Sequence, residues 1–106
     1  MTQADESTYE EFLDWMCISI HKEKEDLALC VYRFTTTRWR ILDEKRNEPI
    51  GSVFGLVEIR KSDGTLKLIE PMPGDSQRRI ATRAAQKIAS HWAKGELPEN
   101  TMYAAG

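Results

Sequence analysis

The sequence predicts an α+β fold: a helix, an antiparallel meander of three or four strands, then a second helix, with both helices packed on one face of the sheet. Three observations carry this prediction. At about 100° per residue, Ile80, Ala81, Ala84, Ala85, Ile88 and Trp92 fall in one wide apolar stripe. Apolar residues also recur at helical spacing from Tyr9 to Ile20. Between these segments, two strand-like runs flank Ser62-Asp63-Gly64, the strongest hairpin signal in the chain.

Each element has its own warrant. Thr8-Tyr9-Glu10-Glu11 matches a capping box, in which a hydroxyl and a carboxylate three residues apart each satisfy an orphan backbone donor. Tyr9, Phe12, Leu13, Met16, Cys17 and Ile20 then share a helical face, so the first helix is expected over Thr8–Lys22. Leu27 to Phe34 is rich in strand formers, and Thr35-Thr36-Thr37 leads into Trp39–Leu42. This stretch reads as one long bent strand or as two strands with a turn near Thr37.

Lys45 to Gly51 reads as a loop because of Asn47, Pro49 and Gly51. Ser52 to Lys61 reads as a strand with Val53, Val57 and Ile59 on one face, and Thr65 to Glu70 as its hairpin partner. Pro71-Met72-Pro73-Gly74 ends the sheet. Asp75 or Ser76 is expected to cap the second helix, Ser76–Lys94, and Gly95 to terminate it. Ala81, Ala84 and Ala85 give that helix a surface small enough to lie close to the strands.

A chain of 106 residues fits one domain, with residues 1–7 and 96–106 expected to be irregular tails. The N-terminal residues are acidic and lack the apolar core of a secretory signal. No run approaches the ~18 apolar residues of a membrane span. A cytoplasmic protein without a membrane partner is the expectation. Cys17 and Cys30 then read as buried thiols, with a disulfide between them left open.

Signatures of catalysis are absent from the sequence: it has no Gly-rich phosphate loop, dinucleotide fingerprint or nucleophile elbow. The two cysteines and two histidines are too dispersed for a zinc site. His21 reads as a solvated residue at a helix end, and His91 as a half-exposed histidine continuing a basic row. Adjacent pairs such as Glu10-Glu11 and Asp43-Glu44 point apart and make no acid/base dyad. No enzyme activity, catalytic residue, cofactor, metal or small-molecule substrate is expected.

Charge is where the sequence points to a ligand. The formal net charge is −2, but it is unevenly placed. Residues 1–26 carry eight carboxylates against two lysines, whereas residues 76–94 carry five basic residues and no carboxylate. Arg79, Arg83 and Lys87 lie four residues apart along one helix edge, and Arg78 adds charge in the first turn. Free backbone N–H groups and the dipole favour anions there. These four residues are the candidate nucleic-acid-binding set. Trp92 reads as core, while Trp15 and Trp39, if exposed beside arginines, are candidates to stack on a base or anchor a protein.

Arg78-Arg79, Ala81, Ala84-Ala85 and Ile88-Ala89 resemble the second helix of the double-stranded RNA-binding domain, which opens with paired basic residues followed by spaced alanines. Trp39–Glu44, Ser52–Lys61 and Thr65–Glu70 resemble its three strands, and Asn47–Gly51 its first loop. Thr82 stands where that family has a third basic residue, and Asn47–Gly51 lacks the family's histidine. The resemblance implies a helix–meander–helix fold and shape-directed contact with duplex RNA or another polyanion. A protein-interaction or inhibitory accessory protein of the mobile-element type is the alternative. It would use the acidic N-terminal helix or an exposed strand. The two readings part on whether the acidic segment covers the basic ridge.

Overall fold

The computed structural model describes residues 10–105. It holds six strands and one helix: β1 (Glu11–Leu13), β2 (Cys17–Glu25), β3 (Leu29–Ile41), β4 (Asn47–Arg60), β5 (Leu66–Glu70), α1 (Arg79–Ala93) and β6 (Asn100–Ala104). All pairings are antiparallel. The strand order is β5-β4-β3-β2-β6, and β1 pairs with β3 past the point where β2 leaves it.

This corrects the expected helix–meander–helix architecture. The segment expected as the first helix is two strands joined by a turn, with Thr8 and Tyr9 outside the described residues. Side chains explain the outcome. Ile18 and Ile20 are buried while Cys17, Ser19 and His21 are exposed, a period of two. Three of the positions on the expected helical face, Phe12, Met16 and Cys17, are exposed, whereas Ile18, which lay off it, is fully buried. Asp14 makes the break: its Oδ1 accepts the Met16 N–H at 3.1 Å, an Asx turn that interrupts the extended chain between β1 and β2, which run in the same direction along β3. Cys17 is thus an exposed thiol rather than a buried one, and Cys30 is buried; neither is in a disulfide.

The other elements follow more closely. Leu29 to Ile41 is one continuous strand, with no turn at Thr37. The expected loop shrinks to residues 42–46, because Asn47–Gly51 already pairs with β3. Pro49 is accommodated beside a register shift, where Arg38 faces Gly51 and Trp39 faces Pro49. The Ser62-Asp63-Gly64 hairpin is present, and β4 and β5 pair as neighbours. The tail expected to be irregular contains β6, whose register sets Tyr103 opposite Ile18 and Thr101 opposite Ile20.

The core lies between α1 and one face of the sheet. Ile18, Ile20, Tyr32, Phe34, Val57 and Ile59 from the strands meet Ile80, Ala81, Ala84 and Ile88 from the helix. Ala84 is fully buried, as its small size requires at the closest approach, but Ala85 is only half-buried. The Tyr32 hydroxyl donates to the Pro98 carbonyl at 2.7 Å and so ties the α1–β6 connection to the sheet; burial pushes its pKa well up, which keeps it neutral. Among the described residues, no helix lies on the opposite sheet face. There Arg33 stacks over Phe54 at 4.2 Å, and Met102 is exposed in the same row across β3 and β2.

Candidate nucleic-acid interface

The site begins with how α1 starts. Asp75 is buried, and its two carboxylate oxygens accept the N–H groups of Ile80 and Ala81 at 3.1 and 3.0 Å. Two of the orphan donors of the first turn are thereby satisfied from upstream. Arg78, the N-cap residue, takes a left-handed conformation with φ 58° and offers no side-chain cap. Such a conformation is uncommon for a non-glycine residue. It lets the chain turn into the helix while its carbonyl accepts both the Thr82 N–H and the Thr82 hydroxyl.

From Arg79 the basic row runs Arg79, Arg83, Lys87. Each four-residue step advances about 400°, so the row winds about 40° per step toward the sheet. Exposure follows this drift: Arg79 is exposed, while Arg83 and Lys87 are half-buried. One step further the row has turned under, and the His91 imidazole meets Thr101 of β6 at 2.9 Å and Glu96 at 3.3 Å. His91 is therefore a structural link between α1 and β6 and leaves the row at three members. Arg78 is exposed at the helix start.

Arg83 is held by aromatic rings. Its guanidinium carbon lies 4.8 Å from the centre of the Trp15 ring and 5.9 Å from that of Tyr103. Trp15 projects from the β1–β2 turn and remains 45% exposed, so the arginine leaves much of the indole open. Tyr103 arrives from β6, at the other end of the chain. Two surface grooves meet at Arg79 and Arg83. One, of about 440 Å³, runs between Trp15, Leu13 and Gly74; the other, of about 340 Å³, is bordered by Gln77, Gln86 and Tyr103. A third groove, of about 390 Å³, lies beyond Leu13, and its two charged residues, Glu11 and Arg38, pair with each other at 2.7 Å.

Several carboxylates of β1 and β2 pair with cations outside the ridge. Glu11 pairs with Arg38, Glu23 with Arg33 at 3.0 Å, and Glu25 with Lys22 at 2.7 Å and with Lys61. Hydrogen bonds from Lys22 and Lys61 hold the Glu25 carboxyl at about 2, far below its ordinary 4.5. Among the described residues, no carboxylate lies within ion-pair distance of Arg78, Arg79, Arg83 or Lys87. Asp75 is the nearest acid in the groove lining, and both its oxygens are committed to the backbone.

The sequence located the basic row and offered Trp15 as a candidate for stacking, but it missed Tyr103 and the way the fold brings the two rings to Arg83. Trp15 was expected at a helix edge and Tyr103 in an irregular tail. The available signal was alternation: Ile18 and Ile20 around Ser19, and Thr101 and Tyr103 around Met102. Trp39 lies half-buried in β3, opposite Phe12 and Pro49, away from the ridge. Among the described residues, no group of His, Cys, Asp or Glu is placed to hold a metal ion, and no helix is long and apolar enough to cross a membrane. No family model matches the chain, and neither the curated proteins nor the solved structures include a significant match.

Proposed function

We propose that this protein is a non-catalytic binding module that holds the phosphate backbone of a nucleic acid on the exposed side of α1, through Arg78, Arg79, Arg83 and Lys87. One observation carries the reading. Glu11, Glu23 and Glu25 are paired with cations outside the helix, and the helix cations have no acidic partner among the described residues. Four basic residues at one surface, without an acidic partner among the described residues, raise the local potential and favour a polyanion even when the whole chain is slightly acidic. Residues 11–13 and 17–25 of the acidic segment are built into the sheet as β1 and β2.

Salt dependence tests this. Each neutralised phosphate releases condensed counterions, so four contacts imply a log–log slope of affinity against salt of roughly −3 to −4. Arg79→Ala should make the slope shallower by about one unit without changing base preference, because phosphate contacts position a protein and do not read sequence. Fluorescence anisotropy with RNA and DNA oligonucleotides at ~50 mM salt, where screening is weak, is the measurement. Absence of binding at tens of micromolar overturns the reading, as does an Arg79→Ala variant that binds like the parent.

A second reading rests on the uncovered sheet face, where Phe54 and Met102 are exposed. A partner protein docked there would use a surface remote from the ridge. Phe54→Asp would then abolish partner binding and leave nucleic-acid affinity unchanged.

A further inference from the structure

We infer that the ridge takes a single strand, with unstacked bases lodged in the two grooves that Arg79 and Arg83 separate; this rests on the backbone-binding reading above. The argument starts from the division of chemistry across the site. Arg79 and Arg83 line both grooves and so form the wall between them. A phosphate resting on that wall has one nucleoside on each side. On one side the flat surface is Trp15, 45% exposed at the tip of the β1–β2 turn. On the other are the Tyr103 ring and the amides of Gln77 and Gln86, which can both donate to and accept from a base edge.

Arg83 is positioned for this role. Its guanidinium already lies within cation–π distance of Trp15 and Tyr103, so it is partly held in place before any ligand arrives. A guanidinium so placed still presents N–H donors at its rim to phosphate and a π-face to a base. The spacing also fits. Arg79 and Arg83 are separated by about 6 Å of helix rise, comparable with the step between adjacent phosphates of an extended strand. Aromatic platforms beside a cationic track are the usual means of holding single strands with little sequence preference. A duplex keeps its bases stacked inside and would leave Trp15 without a partner.

The test compares four ligands of equal length at ~50 mM salt: single-stranded RNA, single-stranded DNA, a duplex, and an abasic strand that keeps the backbone but lacks bases. Anisotropy should show the single strands binding at least about tenfold more tightly than the abasic strand and the duplex. Trp15→Ala should weaken single-strand binding by about ten- to a hundredfold and leave the abasic strand unaffected. Trp15→Phe, which restores a ring, should recover most of the loss. Circular dichroism of both variants reports whether the fold is intact, and the Phe variant keeps the test valid if the Ala variant unfolds. Equal binding of abasic and base-bearing strands, or tighter binding of the duplex, overturns the single-strand inference and leaves backbone binding standing. Loss of binding in Arg79→Ala with none in Trp15→Ala or Trp15→Phe has the same meaning. If no ligand binds, both fall.

Discussion

At the scale of single residues, the β4–β5 turn and the end of α1 depend on each other through Gly64. Its φ is +75°, and a Cβ there would lie 2.8 Å from the Trp92 ring. The indole covers the turn and donates its Nε1–H to the Lys61 carbonyl at 2.9 Å. Gly64→Ala therefore incurs two costs: a left-handed conformation, about 1–2 kcal/mol, and displacement of a packed indole. A total loss of about 2–3 kcal/mol is expected in denaturant unfolding. Gly64→Asn, which tolerates the backbone but still carries a Cβ, separates the two contributions. Glu25 supplies a pH-dependent counterpart. Its carboxyl is depressed to about 2 by Lys22 and Lys61, so its contribution is complete above the unfolded value of 4.5 and is lost as pH falls toward 2. Urea midpoints taken between about pH 5 and pH 2 should fall more steeply for the parent than for Glu25→Gln. Parallel curves would show that the ion pairs contribute nothing to stability. The turn at Gly64 was legible because a glycine after aspartate is a local signal. Its contact with Trp92 was not, since nothing local links a turn to a helix end 28 residues on.

At the scale of elements, α1 was readable and the N-terminal segment was misread for a physical reason. An apolar stripe at helical spacing, with three alanines and only isolated β-branched residues, reads as an amphipathic helix packed by one face. From Phe12 to Ile20, two periods compete. The helical count gains Met16 and Cys17, which the structure leaves exposed, and loses Ile18, which it buries. The Asx turn at Asp14 decides between them by ending β1 and restarting the alternation. β6 was invisible for another reason: it adds to β2 across most of the chain, and Pro98 just before it reads as a breaker. Tyr103 then packs against the core from the sheet edge. The alanine surface of α1 makes a sharp prediction. Ala84 is fully buried, so Ala84→Leu should overpack the helix–sheet interface and cost about 1–3 kcal/mol. The same change at half-buried Ala85 should cost less. If Ala84→Leu shifts the unfolding midpoint by no more than Ala85→Leu does, the close approach of α1 to the strands is wrong.

At the scale of the whole molecule, the basic half of the candidate site was legible because it lies within one helix, whereas its aromatic half is assembled from the β1–β2 turn and β6 and needs the fold. The fold is also uneven in its support, and this can be measured. β3 and β4 run for 13 and 14 residues, about 43–46 Å at ~3.3 Å per residue, whereas the 15 residues of α1 span only about 22 Å. The molecule is 58 Å long by 26 by 21 Å, so the helix covers only part of the hairpin. Tyr32 and Phe34 lie beneath it and are buried to within 1%. Beyond Thr36, β3 is flanked only by β1 and the first part of β4, and its residues from Thr37 to Ile41 are all half-exposed. Their backbone bonds are made, as when the Ile41 N–H donates to the Glu10 carbonyl at 2.8 Å, but little apolar surface opposes their opening. Local opening free energy follows buried contacts. Hydrogen exchange should therefore be at least about tenfold faster in peptides covering residues 38–50 than in those covering 30–36. A global destabilisation separates the two modes further. Ala84→Leu should accelerate exchange at Tyr32 and Phe34, which open only when the core does, and leave the distal hairpin unchanged. Uniform protection along β3, rising and falling together in the variant, would mean that the arm and the core open as one unit and that β1 binds the arm more firmly than its three residues imply.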